Sequence, residues 1–168
     1  MADLPRAHPL VALAAQTPDS DTVRLTALPP ATRLVLRGDP AALGLELGTT
    51  INRATSRADR VALMLGPDEW LLIGGDPPPT LPAGMVDVSH RSAGIEIAGP
   101  FAAEALNAFV ALDLAEATFP VGMCTRTVLG KAEVVIWRTG AERFRLDVAR
   151  SFAPYVWACL EEGRREFL

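Results

Sequence analysis

A mixed α+β fold made of two similar halves is expected from three features of the chain. Short β-branched and leucine-rich runs alternate with Gly- and Pro-bearing turns, as strands paired through tight reversals do. A proline cluster, Pro77-Pro78-Pro79 with Pro82, interrupts the middle, and proline cannot donate to a sheet ladder. A block of strand, glycine, proline, alanine and helix occurs twice, as 34–42 and again as 95–103 with a one-residue shift at the proline. The resulting organisation is an N-terminal arm over 1–20, a first α+β half over 21–76, a Pro-rich linker over 77–84 and a second α+β half over 85–168. Each half is a strand-strand-helix-strand-strand unit, so the fold is α+β with duplicated units.

Residues 22–28 and 32–36 read as strands separated by Pro29-Pro30. Asp39 as a cap and Pro40 at a first helical position predict a short helix over 41–47, because that position needs no N–H donor. Residues 60–65 and 69–73 flank Gly66-Pro67-Asp68 and form the strongest hairpin signal. After the linker, 86–89 and 94–97 are strands, and Gly99-Pro100 opens a helix with Ala102, Leu106, Phe109 and Val110 on one face. Three more strands, 124–129, 132–137 and 143–148, turn at Gly130 and at Thr139-Gly140. That last turn, within 139–145, parallels 65–71 and is a second trace of repetition. Ser151 is the expected N-cap of a final helix that tolerates Pro154 in its first turn, carries Phe152, Val156, Cys159 and Leu160 along one face, and ends near Arg164 and Arg165.

Composition excludes several classes. The formal charge is −4 and the basic residues are scattered, so the footprint of a nucleic-acid binder is missing. Acidic residues and prolines break every apolar stretch short of a membrane span, and the first twenty residues lack a signal-peptide pattern, which points to a cytoplasmic protein with no membrane partner. Cys124 and Cys159 have no metal-ligand spacing and suit a reducing compartment as core thiols. Hydrophobic residues make up 49% and the mean hydropathy is +0.22, which suggests that another subunit covers some apolar surface.

The catalytic inventory is thin. Histidine is limited to His8 and His90, and Ser89 beside His90 in an extended strand would face the opposite side, so no nucleophile–base pair is expected. His90 and Arg91 fit either the closing of a strand or a partner contact. Glu69, Glu96, Glu133 and Glu142 are acid/base candidates, with solvated strand faces as the simpler reading. Arg126, Arg138, Arg143, Arg145 and Arg150 suit either a carboxylate clamp or ordinary ion pairs. Trp70, Trp137 and Trp157 are core or interface anchors. Glycine-rich phosphate loops and zinc-protease motifs do not occur, so no cofactor or metal is expected on this chain, and no catalytic residue is assigned.

Six blocks in order carry a resemblance: Gly66-Pro67-Asp68-Glu69-Trp70-Leu71-Leu72, Asp87-Val88-Ser89-His90-Arg91, residues 95–100, Thr125-Arg126-Thr127, Val135-Ile136-Trp137-Arg138 and Arg150-Ser151-Phe152-Ala153. Together, over 60–167, they resemble the gamma subunit of heterotetrameric sarcosine oxidase. The resemblance implies a small non-catalytic subunit that supports a complex with alpha, beta and delta subunits, which oxidatively demethylates sarcosine to glycine. It further implies FAD and FMN, NAD, tetrahydrofolate and zinc in the other subunits. A wider similarity is to the folate-binding domain of the glycine-cleavage aminomethyltransferase, whose Asp-bearing strand corresponds here to 129–135, where the Asp pair is absent and Glu133 is the available substitute. It leaves open a stand-alone tetrahydrofolate or one-carbon binding module. Under the first reading, Trp70, His90, Arg91, Arg126 and Trp157 are the expected partner contacts, because aromatics and arginine dominate interface energetics.

Overall fold

The computed structural model describes residues 8–168. Two five-stranded antiparallel sheets pack face to face. The strands are β1 (Arg24–Ala27), β2 (Arg33–Arg37), β3 (Ala54–Arg57), β4 (Arg60–Gly66), β5 (Glu69–Gly74), β6 (Met85–Asp87), β7 (Ser92–Ala98), β8 (Cys124–Leu129), β9 (Ala132–Gly140) and β10 (Arg143–Ala149). The helices are α1 (Val11–Ala14), α2 (Ala102–Asn107) and α3 (Ala153–Arg164). One sheet runs β3-β4-β5-β2-β6 and the other β8-β9-β10-β7-β1. The two orders are equivalent, and each half places its first strand at the edge of the other half's sheet.

The registers superimpose as well. Leu36 faces Trp70 and Leu34 faces Leu72 in one sheet, while Ile97 faces Phe144 and Ile95 faces Leu146 in the other. The exchanged strands dock alike: the Val88 amide donates to the Arg33 carbonyl at 2.8 Å and the Leu28 amide to the Gly94 carbonyl at 3.0 Å. Around the Arg53–Met123 bridge, the Ala54 amide donates to Gly122 and the Cys124 amide to Asn52. Asn52 (φ 61°) and Gly122 (φ 84°) hold the same left-handed conformation at the equivalent position, one that side chains other than Asn rarely accept. The α+β fold is therefore a duplicated unit with a local dyad, as the two repeated blocks predict.

The core has three layers. The largest cluster lies between the β8-to-β1 sheet and the pair α2 and α3, around Ile95, Ile97, Leu106, Phe144, Val156 and Trp157. A second fills the space between the two sheets, around Leu63, Leu71, Ile73 and Cys124. The third covers the outer face of the β3-to-β6 sheet with Leu34, Leu36, Trp70 and Leu72.

Several expectations are corrected. The helix over 41–47 is one 3-10 turn, Ala41–Leu43, closed by Gly44 in the left-handed region. Beyond it the apolar residues recur every second position, and Leu43, Leu45 and Leu47 lie on the third cluster as an extended cover rather than a 3.6-period face. The edge strand β3 escaped the pattern reading because Ala54-Thr55-Ser56-Arg57 carries no large apolar residue. Residues 89 and 90 form a turn, not a strand end: Ser89 Oγ accepts the Arg33 amide at 2.9 Å and Asp87 Oδ1 accepts the Ser89 amide at 2.8 Å. Ser151 does not cap α3. Phe152 occupies that position without a side-chain bond and is 48% exposed, while Pro154 does sit in the first turn. From residue 8 the arm folds back onto its own chain; residues 1–7 lie outside the described residues. Leu10 is buried in the main core, Trp157 Nε1 donates to Thr17 Oγ1 at 3.0 Å, and the buried Arg164 donates to the Val23 and Pro18 carbonyls, each at 2.9 Å. Among the described residues no helix is long and apolar enough to cross a membrane.

Candidate functional site

A cleft of about 400 Å³ opens where the two sheets meet. That volume is in the range of small-molecule and peptide pockets. Its floor is apolar, with Val35, Leu65, Leu71 and Val135, and Arg91, Arg126, Glu133 and Phe152 stand at its rim. β2, β4 and β5 supply one wall, β8, β9 and β10 the other, so strand alternation sets which side chains point inward.

Two ion-pair groups tie the walls together. Arg33 on β2 donates from Nε to Asp147 Oδ1 on β10 at 2.6 Å, and Arg145 Nε reaches Asp147 Oδ2 at 2.8 Å. Both carboxylate oxygens thus accept from a guanidinium. On the other flank Arg126 on β8 pairs with Glu69 on β5, which Arg37 Nη2 also meets at 2.6 Å. The Arg126 hydrogen bond holds the Glu69 carboxyl below its ordinary range even though burial pushes it up. Glu69 is therefore buried and ionised, not the solvated residue of the simpler reading. Glu133 stays exposed, with its Oε1 3.6 Å from Arg126 Nε, and Glu96 sits 3.8 Å from Arg143. Asp147 and Glu69, each engaged by two guanidinium groups, suit positioning and cross-bracing more than proton transfer.

The structure brings together part of the expected contact set. Arg91 and Arg126 share the cleft rim, and His90 is exposed on the neighbouring turn. Trp70 and Trp157 are elsewhere: each is buried, Trp70 donating Nε1 to the Gly48 carbonyl at 2.9 Å beneath the outer cover and Trp157 packing from α3 into the main core. Both indoles lie in the chain's own core, so they shape the surfaces above them and do not form them. Arg138 is likewise spent internally, donating to the carbonyls of Leu114, Phe119 and Ala141 and lying 5.1 Å over the Phe144 ring. Sequence reasoning missed Arg33 and Asp147. A charge inside an apolar strand, as in Leu146-Asp147-Val148, was the available signal, since such residues are buried only when paired.

A family model described as sarcosine oxidase, gamma subunit family, matches residues 79–166, more than half of the chain. The chain belongs to the sarcosine oxidase gamma subunit family. It is 28% identical to the sarcosine oxidase subunit gamma of Corynebacterium sp. (strain U-96), over 97% of this chain and 90% of that one. It is 29% identical to the subunit gamma of Corynebacterium sp. (strain P-1), over 91% and 85%. The solved heterotetrameric sarcosine oxidase from Corynebacterium sp. U-96, in complex with pyrrole 2-carboxylate, contains a chain that this gamma-family protein matches at a TM-score of 0.84 with 27% identity, covering 96% of both. The glycine cleavage system aminomethyltransferase T from Bartonella henselae aligns at a TM-score of 0.51 with 15% identity, over 83% of this chain and 45% of that one, a likeness of fold.

Proposed function

We propose that this chain is the non-catalytic gamma subunit of a heterotetrameric, flavin-dependent sarcosine oxidase and supports assembly of the complex that demethylates sarcosine to glycine. The match along 96% of both chains to a chain of a heterotetrameric sarcosine oxidase carries this reading. The partners are alpha, beta and delta subunits, which hold the FAD, FMN, NAD, tetrahydrofolate and zinc, in the cytoplasm. His90, Arg91 and Arg126 are the direct contacts, and Trp70 and Trp157 brace the surfaces around them. Exposed apolar side chains at Val86, Val128 and Phe152 supply area that a partner would cover. The linker over 77–84 separates the two halves as units of the duplicated chain. The buried Asp147 and Glu69, each held by two arginines, support a scaffold in place of an acid/base centre. Co-expression with candidate alpha, beta and delta chains tests the proposal. A tagged gamma chain is expected to retain all three, and omitting it to lower the yield of flavin-loaded complex; full assembly and activity without it would refute the assembly role.

A further inference from the structure

On the far side of the Arg33–Asp147 pair from the cleft, a cavity of about 150 Å³ lies between the equivalent loops Pro29-Pro30 and Ser89-His90. His8, Arg33, Ser89, His90, Gly94 and Arg150 line it, and among the described residues the lining contains no carboxylate. Arg33 is 1% exposed; its Nε serves Asp147, its Nη1 donates to the Ala31 carbonyl at 3.1 Å, and its Nη2 is buried with no partner among the described residues. A buried guanidinium N–H left unpaired is costly, because it has given up its hydrogen bond to water without replacing it. Nη2 lies beside Gly94, where a Cβ would stand 3.0 Å from it, so glycine keeps that side of the guanidinium open. Burial first, then the Arg150 and Arg33 charges, hold His8 below its ordinary pKa.

We propose that this cavity is a binding site for a small carboxylate, with one oxygen accepting from Arg33 Nη2. The volume sets the size. At about 150 Å³ the cavity is smaller than the roughly 300–1,000 Å³ of drug-sized ligand pockets, which fits acetate, formate or the carboxylate end of a side chain. Planar fork geometry makes arginine a good partner for that group. The carboxylate comes either from solution or from a subunit docked over the exposed His90 turn.

Sodium acetate titrated at constant ionic strength into the full-length chain, and separately into the co-purified complex, followed by calorimetry and by heteronuclear NMR of the His90 turn, tests the site. Saturable binding is expected in the full-length chain. Gly94→Ala, which fills the space beside Nη2, and Arg33→Lys, which keeps the charge and loses Nη2, are each expected to weaken it about tenfold or more, as loss of a charge-assisted hydrogen bond does. Circular dichroism confirms that each variant is folded, and His90→Ala, at an exposed position, gives a milder loss without touching the core. Acetate binding that persists in the complex identifies a free carboxylate as occupant. Binding seen in the isolated chain and lost on assembly, with acetate competing against subunit association, identifies a partner's carboxylate. Absence of saturation in both preparations, or binding unchanged in Gly94→Ala and Arg33→Lys, overturns the proposal. The site rests on the gamma-subunit reading only for the partner arm; co-purification with alpha, beta and delta in acetate-free buffer is read separately, so failure here and failure of that reading are distinguishable.

Discussion

Removing the Asp147 carboxylate is the most informative perturbation of this fold. Arg33 is 1% exposed and Asp147 side chain 4%, so both charges are out of water and their pairing at 2.6 Å is what makes burial tolerable. In Asp147→Leu, Arg33 keeps a single bond, to the Ala31 carbonyl, and its charge is stranded; Arg145, at 17% exposure, can turn toward solvent. The expected cost is about 3–5 kcal/mol, nearly all from Arg33. For a chain of 168 residues that corresponds to a fall in Tm of roughly 6–20 °C. Arg33→Met with Asp147→Leu removes both charges and retains the stem volume, so the double variant is expected within about 1 kcal/mol of the parent, because apolar replacement of a whole buried pair is often neutral. Urea unfolding of parent, both singles and the double gives the coupling energy. An exposed pair, Arg57–Glu46 at 69% and 83% exposure, is the control, and Glu46→Gln is expected to cost at most about 0.5 kcal/mol. If Asp147→Leu costs less than about 1 kcal/mol, or the double variant loses the sum of the singles, the pair does not brace the two sheets in the way argued.

Further outcomes follow from the same geometry. Burial pushes the Cys124 thiol up to about 12, against about 8.5 in the unfolded chain, so stability contributed by this thiol is full below about 8.5 and declines as pH rises toward 12; iodoacetamide at pH 8 is expected to label Cys124 only as the chain unfolds, read by peptide mass. Glu69 has the opposite sign: its lowered folded pKa contributes stability above the unfolded carboxylate range, lost as pH falls through the folded value, and Glu69→Gln should flatten the acid limb of a urea-midpoint series from pH 2 to 6. Arg138→Met strands the Leu114 and Phe119 carbonyls and is expected to cost about 3–5 kcal/mol, with faster amide exchange over 114–119. Leu36→Ile and Ile97→Leu, at dyad-equivalent positions facing Trp70 and Phe144, should each cost under about 1.5 kcal/mol by thermal melts.

What the sequence disclosed and what it hid follow different physics. Strands β4 and β5 were legible because a two-residue turn, Pro67-Asp68, separates two apolar runs, and β8 to β10 were legible for the same reason. The duplication was visible because a repeated backbone event, a strand running into glycine and then a helix or 3-10 turn, needs the same few residue types each time. The strand exchange was not, since β1 and β6 carry no mark of which sheet they join; only long-range registers decide that. The segment 41–47 misled because three leucines next to Asp39-Pro40 satisfy helix-start rules, while Gly44 and the alternate-residue burial of Leu43, Leu45 and Leu47 belong to an extended cover. Of the candidate contacts, Arg91, Arg126 and His90 fall near one surface because 87–91 and 125–127 sit on facing walls. Trp70 and Trp157 were chosen by residue type, and type alone does not distinguish a core indole from a surface one.

The dyad also explains why the polar asymmetry is concentrated where it is. Near a two-fold axis, equivalent residues approach each other, so a duplicated chain must resolve pairs that cannot both be large or both be charged. Arg33 and Gly94 are such a pair: each carbonyl accepts from the exchanged strand, yet one position carries a guanidinium and the other no side chain, and the guanidinium occupies the space its equivalent leaves open. Arg53 and Met123 pair across the other end of the axis, again a charge against an apolar residue. Glu69 and Arg143 diverge in the same way, one buried under Arg126, the other exposed beside Glu96. Away from the axis the equivalents stay alike, Leu36 with Ile97 and Trp70 with Phe144, because each packs against its own sheet's cover and feels no collision. Divergence is thus strongest around the cleft and the small cavity beside it. Symmetric packing supplies the scaffold, and the broken symmetry at the seam supplies the charged side chains proposed above to meet a partner and a small anion.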